Sequence, residues 1–249
     1  MPFDQWPAHL GAALAGRWKV HCVDACESTQ EIARTLGHGE VVVAWRQFAG
    51  RGRLGRAWIE TDLDGVALTA VVEPAAAARL SVAAGVATAI ALDELCRDSA
   101  ASERATIGLK WPNDVHINGR KVAGVLIEVV DGKALIGIGV NVHQRSWPES
   151  LDGIAISLRQ AGVLVDRTVV VVAVLRRLRE ALSMSSAELR DSFIARDLLV
   201  GTRRRIQVGE DVHEGIVIEV DPLTAIRLRL DDGRCIRLSA ARANLLAPS

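Results

Sequence analysis

Neither sign of charge is in excess in this chain: Lys plus Arg and Asp plus Glu each total 30, a formal net charge of +0. A broad basic face for nucleic acid normally shows as a surplus of Lys and Arg, so that class of partner is disfavoured. Long hydrophobic runs are missing too. The longest stretch without a charge lies between Arg79 and Asp93; it falls short of the roughly 20 residues a membrane span needs and reads as a buried helix. The four cysteines, Cys22, Cys26, Cys96 and Cys235, form no CxxC pair and have no histidine cluster beside them. Zinc-binding and disulfide-framework classes are thereby disfavoured, leaving free thiols. The start, Met1-Pro2-Phe3-Asp4-Gln5-Trp6, carries an early acid and no basic leader, so a secretory signal is not expected and a cytoplasmic location is. No carboxylate cluster declares a metal site. The remaining composition, 49% hydrophobic and 24% charged over 249 residues, suits a soluble protein with one large domain or a large and a small one.

Against this neutral background, residues 44 to 58 stand out. Gly50, Gly52 and Gly55 make the backbone pliable, and Arg51, Arg53 and Arg56 put three guanidiniums on one short loop. Such a loop calls for a local anion site. Gly50 to Gly55 also fits GxGxxG after a strand, but a dinucleotide fingerprint must open a helix. Residues 56 to 64 have no apolar helical period, so that reading is set aside.

The hydrophobic pattern predicts strands mixed with helices. A short helix over residues 5 to 16 precedes a strand from Trp18 to Val23, and Ser28-Thr29-Gln30-Glu31 reads as a capping box opening a helix to about Leu36. Strands follow at Val41 to Trp45 and Val66 to Val72, then a central Ala-rich helix from Leu80 to Cys96. Asn118-Gly119 and Asp131-Gly132 are type I′ turn signals between strands. Helices return at Arg167 to Ser183 and Ala187 to Asp197. The expected class is α+β, with a mixed, largely antiparallel sheet on one side and helices packed on the other. After Leu199, short alternating strands suggest a small β-barrel. A domain boundary near residue 198, with no Gly/Ser-rich linker, divides the chain into 1–198 and 199–249.

Two clusters join the arginine loop: Lys110-Trp111-Pro112-Asn113-Asp114, and Lys121 to Glu128 at the start of a strand. Singly each has a plain explanation, since Pro-Asn-Asp is turn chemistry and a lysine beside Asn-Gly is commonly solvated. Together and in this order they resemble the catalytic domain of biotin protein ligases. Glu27-Ser28-Thr29-Gln30 matches the place of that family's Ser-Thr pair, and Gly137-Ile138-Gly139-Val140-Asn141 its glycine-rich strand ending in asparagine. The close resemblance covers about Val20 to Val142, and the C-terminal strands look like the family's SH3-like cap.

The resemblance implies a class II synthetase-like fold, with ATP and biotin as substrates and Mg²⁺ accompanying ATP. Biotin's carboxylate would attack the α-phosphorus, giving biotinyl-AMP, and a lysine of a biotin carboxyl carrier domain would take the biotinyl group. It implies Lys121 between carboxylate and α-phosphate, Arg51 and Arg53 on both anions, and Arg56 on phosphate. Ser28, Thr29, Gln47, Gly50 and Gly124 would line the biotin site, Trp58 would stack on adenine with Asn141 at its edge, and Asp114 would face the carrier lysine. Trp111 is expected to pack behind the site. Plain readings stand beside these: Ser28 as helix cap, Gln47 as a polar strand end, Asp114 as turn former.

Glu27, Phe48 and Leu54 depart from the usual family wording, which leaves the strength of loop closure open. Bifunctional members carry a winged helix-turn-helix before the catalytic domain; here the Ser-Thr pair arrives by residue 28, so a monofunctional ligase without DNA binding is expected. A homodimer through a sheet edge and a monomer both remain compatible with the sequence. Two other functions share its features: a lipoate or octanoate ligase or transferase, and a non-catalytic biotin-binding module.

Overall fold

The computed structural model of the chain describes residues 1–55, 57–59, 64–99 and 105–246. Its main sheet uses β1 (Lys19–Cys26), β2 (Glu40–Gln47), β5 (Gly65–Val72), β6 (Ile107–Lys110), β7 (Asp114–Ile117), β8 (Arg120–Val130) and β9 (Lys133–Asn141), in the order β1-β2-β5-β9-β8-β7-β6. Between β2 and β5 the arginine loop folds into a two-stranded ribbon, β3 (Gly50–Arg51) and β4 (Ala57–Trp58). The helices are α1 (Trp6–Ala13), α2 (Thr29–Ala33), α3 (Ala77–Arg97), α4 (Arg167–Ser183) and α5 (Ser186–Ile194).

Strand alternation gives the main sheet two different faces. Leu68, Ala70, Ile136, Ile138, Ala123 and Val125 join the main core with α1, α3, α4 and α5. The opposite face carries the short α2, packed through Ala33 on Val42, Val71 and Leu135. The longest helix is thus the buried one that the uncharged segment predicts, although it begins three residues earlier. Among the described residues no helix is long and apolar enough to cross a membrane.

The sheet is mixed and largely antiparallel, as expected. β1 and β2 pair in parallel because α2 lies between them as a crossover, which returns the chain in the same direction. The turn signals behave as expected: Asn118 and Gly119 have φ of 51° and 79°, Asp131 and Gly132 of 49° and 71°, the left-handed pair that a type I′ turn requires. Lys110-Trp111-Pro112-Asn113-Asp114 is itself a hairpin connection, with Lys110 opposite Asp114 and a cis bond before Pro112.

The capping box is corrected. Ser28 Oγ does accept from the Gln30 amide, but the Glu31 side chain pairs with Arg51 and Arg34, and α2 ends at Ala33. Nearby guanidiniums draw this carboxylate outward more strongly than the Ser28 N–H draws it back.

The C-terminal part is a five-stranded antiparallel sheet built from β10 (Arg203–Val208), β11 (Asp211–Asp221), β12 (Ala225–Arg229), β13 (Cys235–Ser239) and β14 (Ala243–Leu245), ordered β13-β12-β11-β10-β14. Its hydrogen bonding leaves β13 and β14 as outer strands, so no closed barrel is formed by ladder pairs among the described residues. Ile206, Val217 and Ile226 belong to the same buried cluster as the helices and the main sheet. The two parts therefore share one core. Residues 196 to 198 add a short strip to β6: Leu109 N–H donates to the Arg196 carbonyl at 2.7 Å and Leu198 N–H to the Leu109 carbonyl at 3.0 Å.

Candidate active site

A cavity enclosing about 460 Å³, part of it open to solvent, lies on the α2 face of the main sheet. Its floor is made of the positions on β5, β8 and β9 that alternate with the large core residues. Ala67, Gly124, Gly137 and Gly139 stand there, and the space above them exists because these side chains are small or absent. A Cβ on Gly139 would fall 2.6 Å from the Trp58 indole, and one on Gly124 3.1 Å from it. Trp58 thus lies against the glycine floor, carried in by the β3–β4 ribbon.

One end of the cavity is neutral and polar. Ser28, Thr29 and Gln47 are all buried there, and the last two are connected: Thr29 N–H donates to Gln47 Oε1 at 2.9 Å, the Thr29 hydroxyl donates to the same oxygen at 3.2 Å, and Thr69 donates to Thr29 Oγ1 at 2.8 Å. Gly50 is required at the ribbon's start, since a Cβ would come within 2.7 Å of Gln47 Nε2 and 2.8 Å of the Trp58 carbonyl.

The other end is charged. Lys121 is the second residue of β8, and its Nζ sits 2.6 Å from Asp114 Oδ1 and 5.6 Å from the Trp58 ring centroid. The lysine's backbone is held firmly, its N–H donating to the Ile154 carbonyl and its carbonyl accepting from Ile156 N–H. Asn113 pins the turn carrying Asp114, donating through Nδ2 to the Val125 carbonyl at 2.6 Å. An ammonium whose stem is fixed but whose head is paired only with a partly exposed carboxylate can change partners when an anion arrives.

The arginines divide. Arg51 lines the cavity and pairs with Glu31 at 2.7 Å, both side chains about half exposed. Arg53 is turned into a second cavity, about 910 Å³, between the start of α3, Trp111-Pro112 and residues Pro222, Ala240 and Ala241 of the C-terminal sheet. Burial lowers the Arg53 pKa and the Asp114 charge opposes this, so Arg53 feels Asp114 from its own side. Arg56 lies outside the described residues. Asn141 does not line the first cavity. Its Nδ2 donates to the Lys121 and Ile156 carbonyls, so its amide braces the lysine strand. Trp111 is 3% exposed and packs in the core behind the site.

Sequence reasoning passed over three residues here. Thr69, a polar residue inside an apolar strand, links β5 to Thr29. Gln30, 3% exposed, also lines the cavity, and its place directly after the Ser-Thr pair was the available signal. His116, 6% exposed, lies opposite Lys121, and only the strand register reveals it.

The chain is 37% identical over 214 residues to the biotin–[acetyl-CoA-carboxylase] ligase of Mycobacterium tuberculosis, a match spanning 81% of this chain and 77% of that protein. It belongs to the biotin/lipoate A/B protein ligase family. The model of that family matches residues 26–144, the segment that supplies nearly all of the first cavity. A second ligase relative, the bifunctional ligase/repressor BirA of Bacillus subtilis, is 29% identical over 227 residues, covering 84% of this chain and 69% of its own length. Among solved structures, the biotin protein ligase of Aquifex aeolicus in complex with biotin and ATP superposes with a TM-score of 0.81 at 28% identity, covering 92% of this chain and 99% of that one. The ligase family's fold thus extends through the C-terminal sheet, beyond the segment that the family model matches.

Proposed function

We propose that this protein is a cytoplasmic, ATP-dependent ligase that joins biotin to a lysine of a biotin carboxyl carrier domain through biotinyl-5′-AMP. The observation that carries this reading is one cavity whose lining combines neutral, hydrogen-bonding groups at Ser28, Thr29 and Gln47 with cations at Lys121 and Arg51. That combination fits an acid with an uncharged polar head. We assign residues 1–198 to the ligase domain and 199–249 to an SH3-like domain, acting without DNA; the formal charge of +0 supports the last point.

In the first step a carboxylate oxygen of biotin attacks the α-phosphorus of ATP; the P–O bond to the β-phosphate breaks and pyrophosphate leaves. Two anions must approach, and Lys121 between them offsets the repulsion, with Arg51, joined by Arg53 once it turns from the second cavity, holding carboxylate and phosphates and Arg56 a further phosphate. Preorganised donors of this kind contribute about 3 to 4 kcal/mol each to the barrier. Lys121 leaves Asp114 as it takes up the substrate anions. Mg²⁺ would be carried in on the ATP phosphates, where it neutralises the leaving pyrophosphate. Trp58 stacks on the adenine, and the ribbon bearing it shields the mixed anhydride from water. Asn141 serves the nucleotide by holding the Lys121 strand.

In the second step the carrier lysine, with an ordinary pKa near 10.4, must lose a proton before its nitrogen attacks the acyl carbon and AMP departs. Asp114, released by Lys121, orients that ammonium and takes its proton. The test is transfer of labelled biotin to a carrier domain, with a lipoyl domain as control. Asp114→Asn is expected to lose on the order of a hundredfold more in transfer than in adenylate formation. Equal losses in both steps would reduce Asp114 to a residue that only positions Lys121.

A further inference from the structure

Between β9 and α4 the chain runs from Val142 to Asp166 with one short 3₁₀ turn, Glu149–Leu151, as its regular structure. Part of this segment takes the place of a strand. β9 pairs with β8 from Ala123 onward, and beside Lys121 stands Ala155 instead, in a parallel bridge. Lys121 N–H donates to the Ile154 carbonyl at 2.8 Å, and Ile156 N–H donates to the Lys121 carbonyl at 2.9 Å. A strip of irregular chain can fix the lysine only if it is fixed itself, since every loose residue regains backbone freedom.

One exposed side chain supplies that restraint. Gln160 Oε1 accepts from Trp147 Nε1–H at 2.9 Å and from Ser157 N–H at 3.1 Å, while Nε2 donates to the Arg145 carbonyl at 3.1 Å. Both ends of the amide are used, and they bind the outgoing limb at Arg145 and Trp147 to the returning limb at Ser157. Ser157 is fully buried and extends the tie, its hydroxyl donating to the Gln144 carbonyl at 2.6 Å. It follows directly on Ile156, whose N–H holds the lysine's carbonyl and whose own carbonyl accepts from Asn141 Nδ2 at 3.1 Å. The contacts therefore run from Gln160 through Ser157 and Ile156 to Lys121.

Resting on the ligase reading above, we propose that Gln160 is a positioning residue for Lys121. By knotting residues 145, 147 and 157 together it keeps the 154–156 strip against the lysine, and so sets where the ammonium meets the two substrate anions. Stabilisation of a transition state falls steeply when a charged group is misplaced. The effect is therefore on the rate of adenylation more than on affinity for the acid.

The experiment is pyrophosphate–ATP exchange with biotin or lipoate on the full chain, for the wild type, Gln160→Ala, Gln160→Glu and Trp147→Phe, each also combined with Lys121→Ala. Amide hydrogen exchange is measured alongside, without substrates. Gln160→Ala is expected to lower kcat about tenfold with the KM for biotin held within about twofold. Trp147→Phe, which removes one of the three side-chain bonds, should lower kcat about threefold and covers a failure of Gln160→Ala to fold. Gln160→Glu keeps acceptors for Trp147 and Ser157 and should recover most of the rate. With Lys121→Ala already present, none of the three should lower the rate further, because the lysine they act through is gone. The amides of Lys121 and Ile156 should exchange about tenfold faster in Gln160→Ala while those of α3 keep their protection. An unchanged kcat, equal losses with and without Lys121, or unchanged protection at both amides overturns the inference and leaves the ligase reading standing. Wild-type exchange with lipoate and none with biotin would overturn the ligase reading, and the amide protection, measured without substrate, would still decide whether Gln160 holds the lysine.

Discussion

His116 and His143 show how burial sets charge near the site. Burial lowers the His116 pKa below its ordinary 6.5, opposed by its hydrogen bond to the Gly119 carbonyl and by the Asp114 charge, with Lys110 and Lys121 adding to the lowering. Its Nδ1–H donates to that carbonyl at 2.8 Å, and Nε2 has no partner among the described residues. Burial lowers His143 as well. As pH drops below about 6.5 the unfolded chain protonates both imidazoles while the folded protein does not, so the unfolded state binds more protons and stability declines. Above that pH both states are neutral and the two residues add no pH dependence. Urea midpoints are therefore expected to fall between pH 7.5 and pH 5.5, and to fall less for His116→Phe; an identical fall in the variant would contradict this account. The sequence shows His116 only as one polar letter in an apolar strand, because its burial comes from a sheet register and a turn carbonyl three residues away.

At the scale of elements, the seam between β6 and the segment leading to the C-terminal sheet leaves no room for a side chain on Gly108. A Cβ on Gly108 would lie 2.5 Å from the Leu198 side chain, which is itself held by a backbone bond to Leu109. Gly108→Ala is expected to cost about 1 to 3 kcal/mol by overpacking, visible as a lower Tm, with biotin-dependent exchange intact at temperatures where the variant is folded. An unchanged Tm would show that Leu198 moves aside freely. Elements with local signals were legible: Asn118-Gly119 and Asp131-Gly132 fix their hairpins through backbone conformation alone, and the uncharged stretch marks α3. Elements decided by distant partners were not. The parallel pairing of β1 depends on where α2 packs, Glu31 leaves its capping role for Arg51 and Arg34, and β14 exists by pairing with β10.

Across the whole molecule, one sheet separates two kinds of interior: a large-residue core shared with the C-terminal sheet, and a glycine-floored cavity under the arginine ribbon. The ordered clusters at residues 28–30, 50–58, 110–114, 121–128 and 137–141 made the site legible as a set. Their division was not, since Arg53 faces the second cavity and Asn141 braces a strand, and both depend on three-dimensional packing. The central claim is that the cationic end of the first cavity activates a biotin carboxylate with ATP. The most direct measurement is exchange of labelled pyrophosphate into ATP with biotin, lipoate, octanoate or no acid, for the wild type and Lys121→Ala. The account predicts exchange with biotin alone, reduced on the order of a hundredfold or more in Lys121→Ala; exchange with lipoate instead, or full exchange without Lys121, would contradict it.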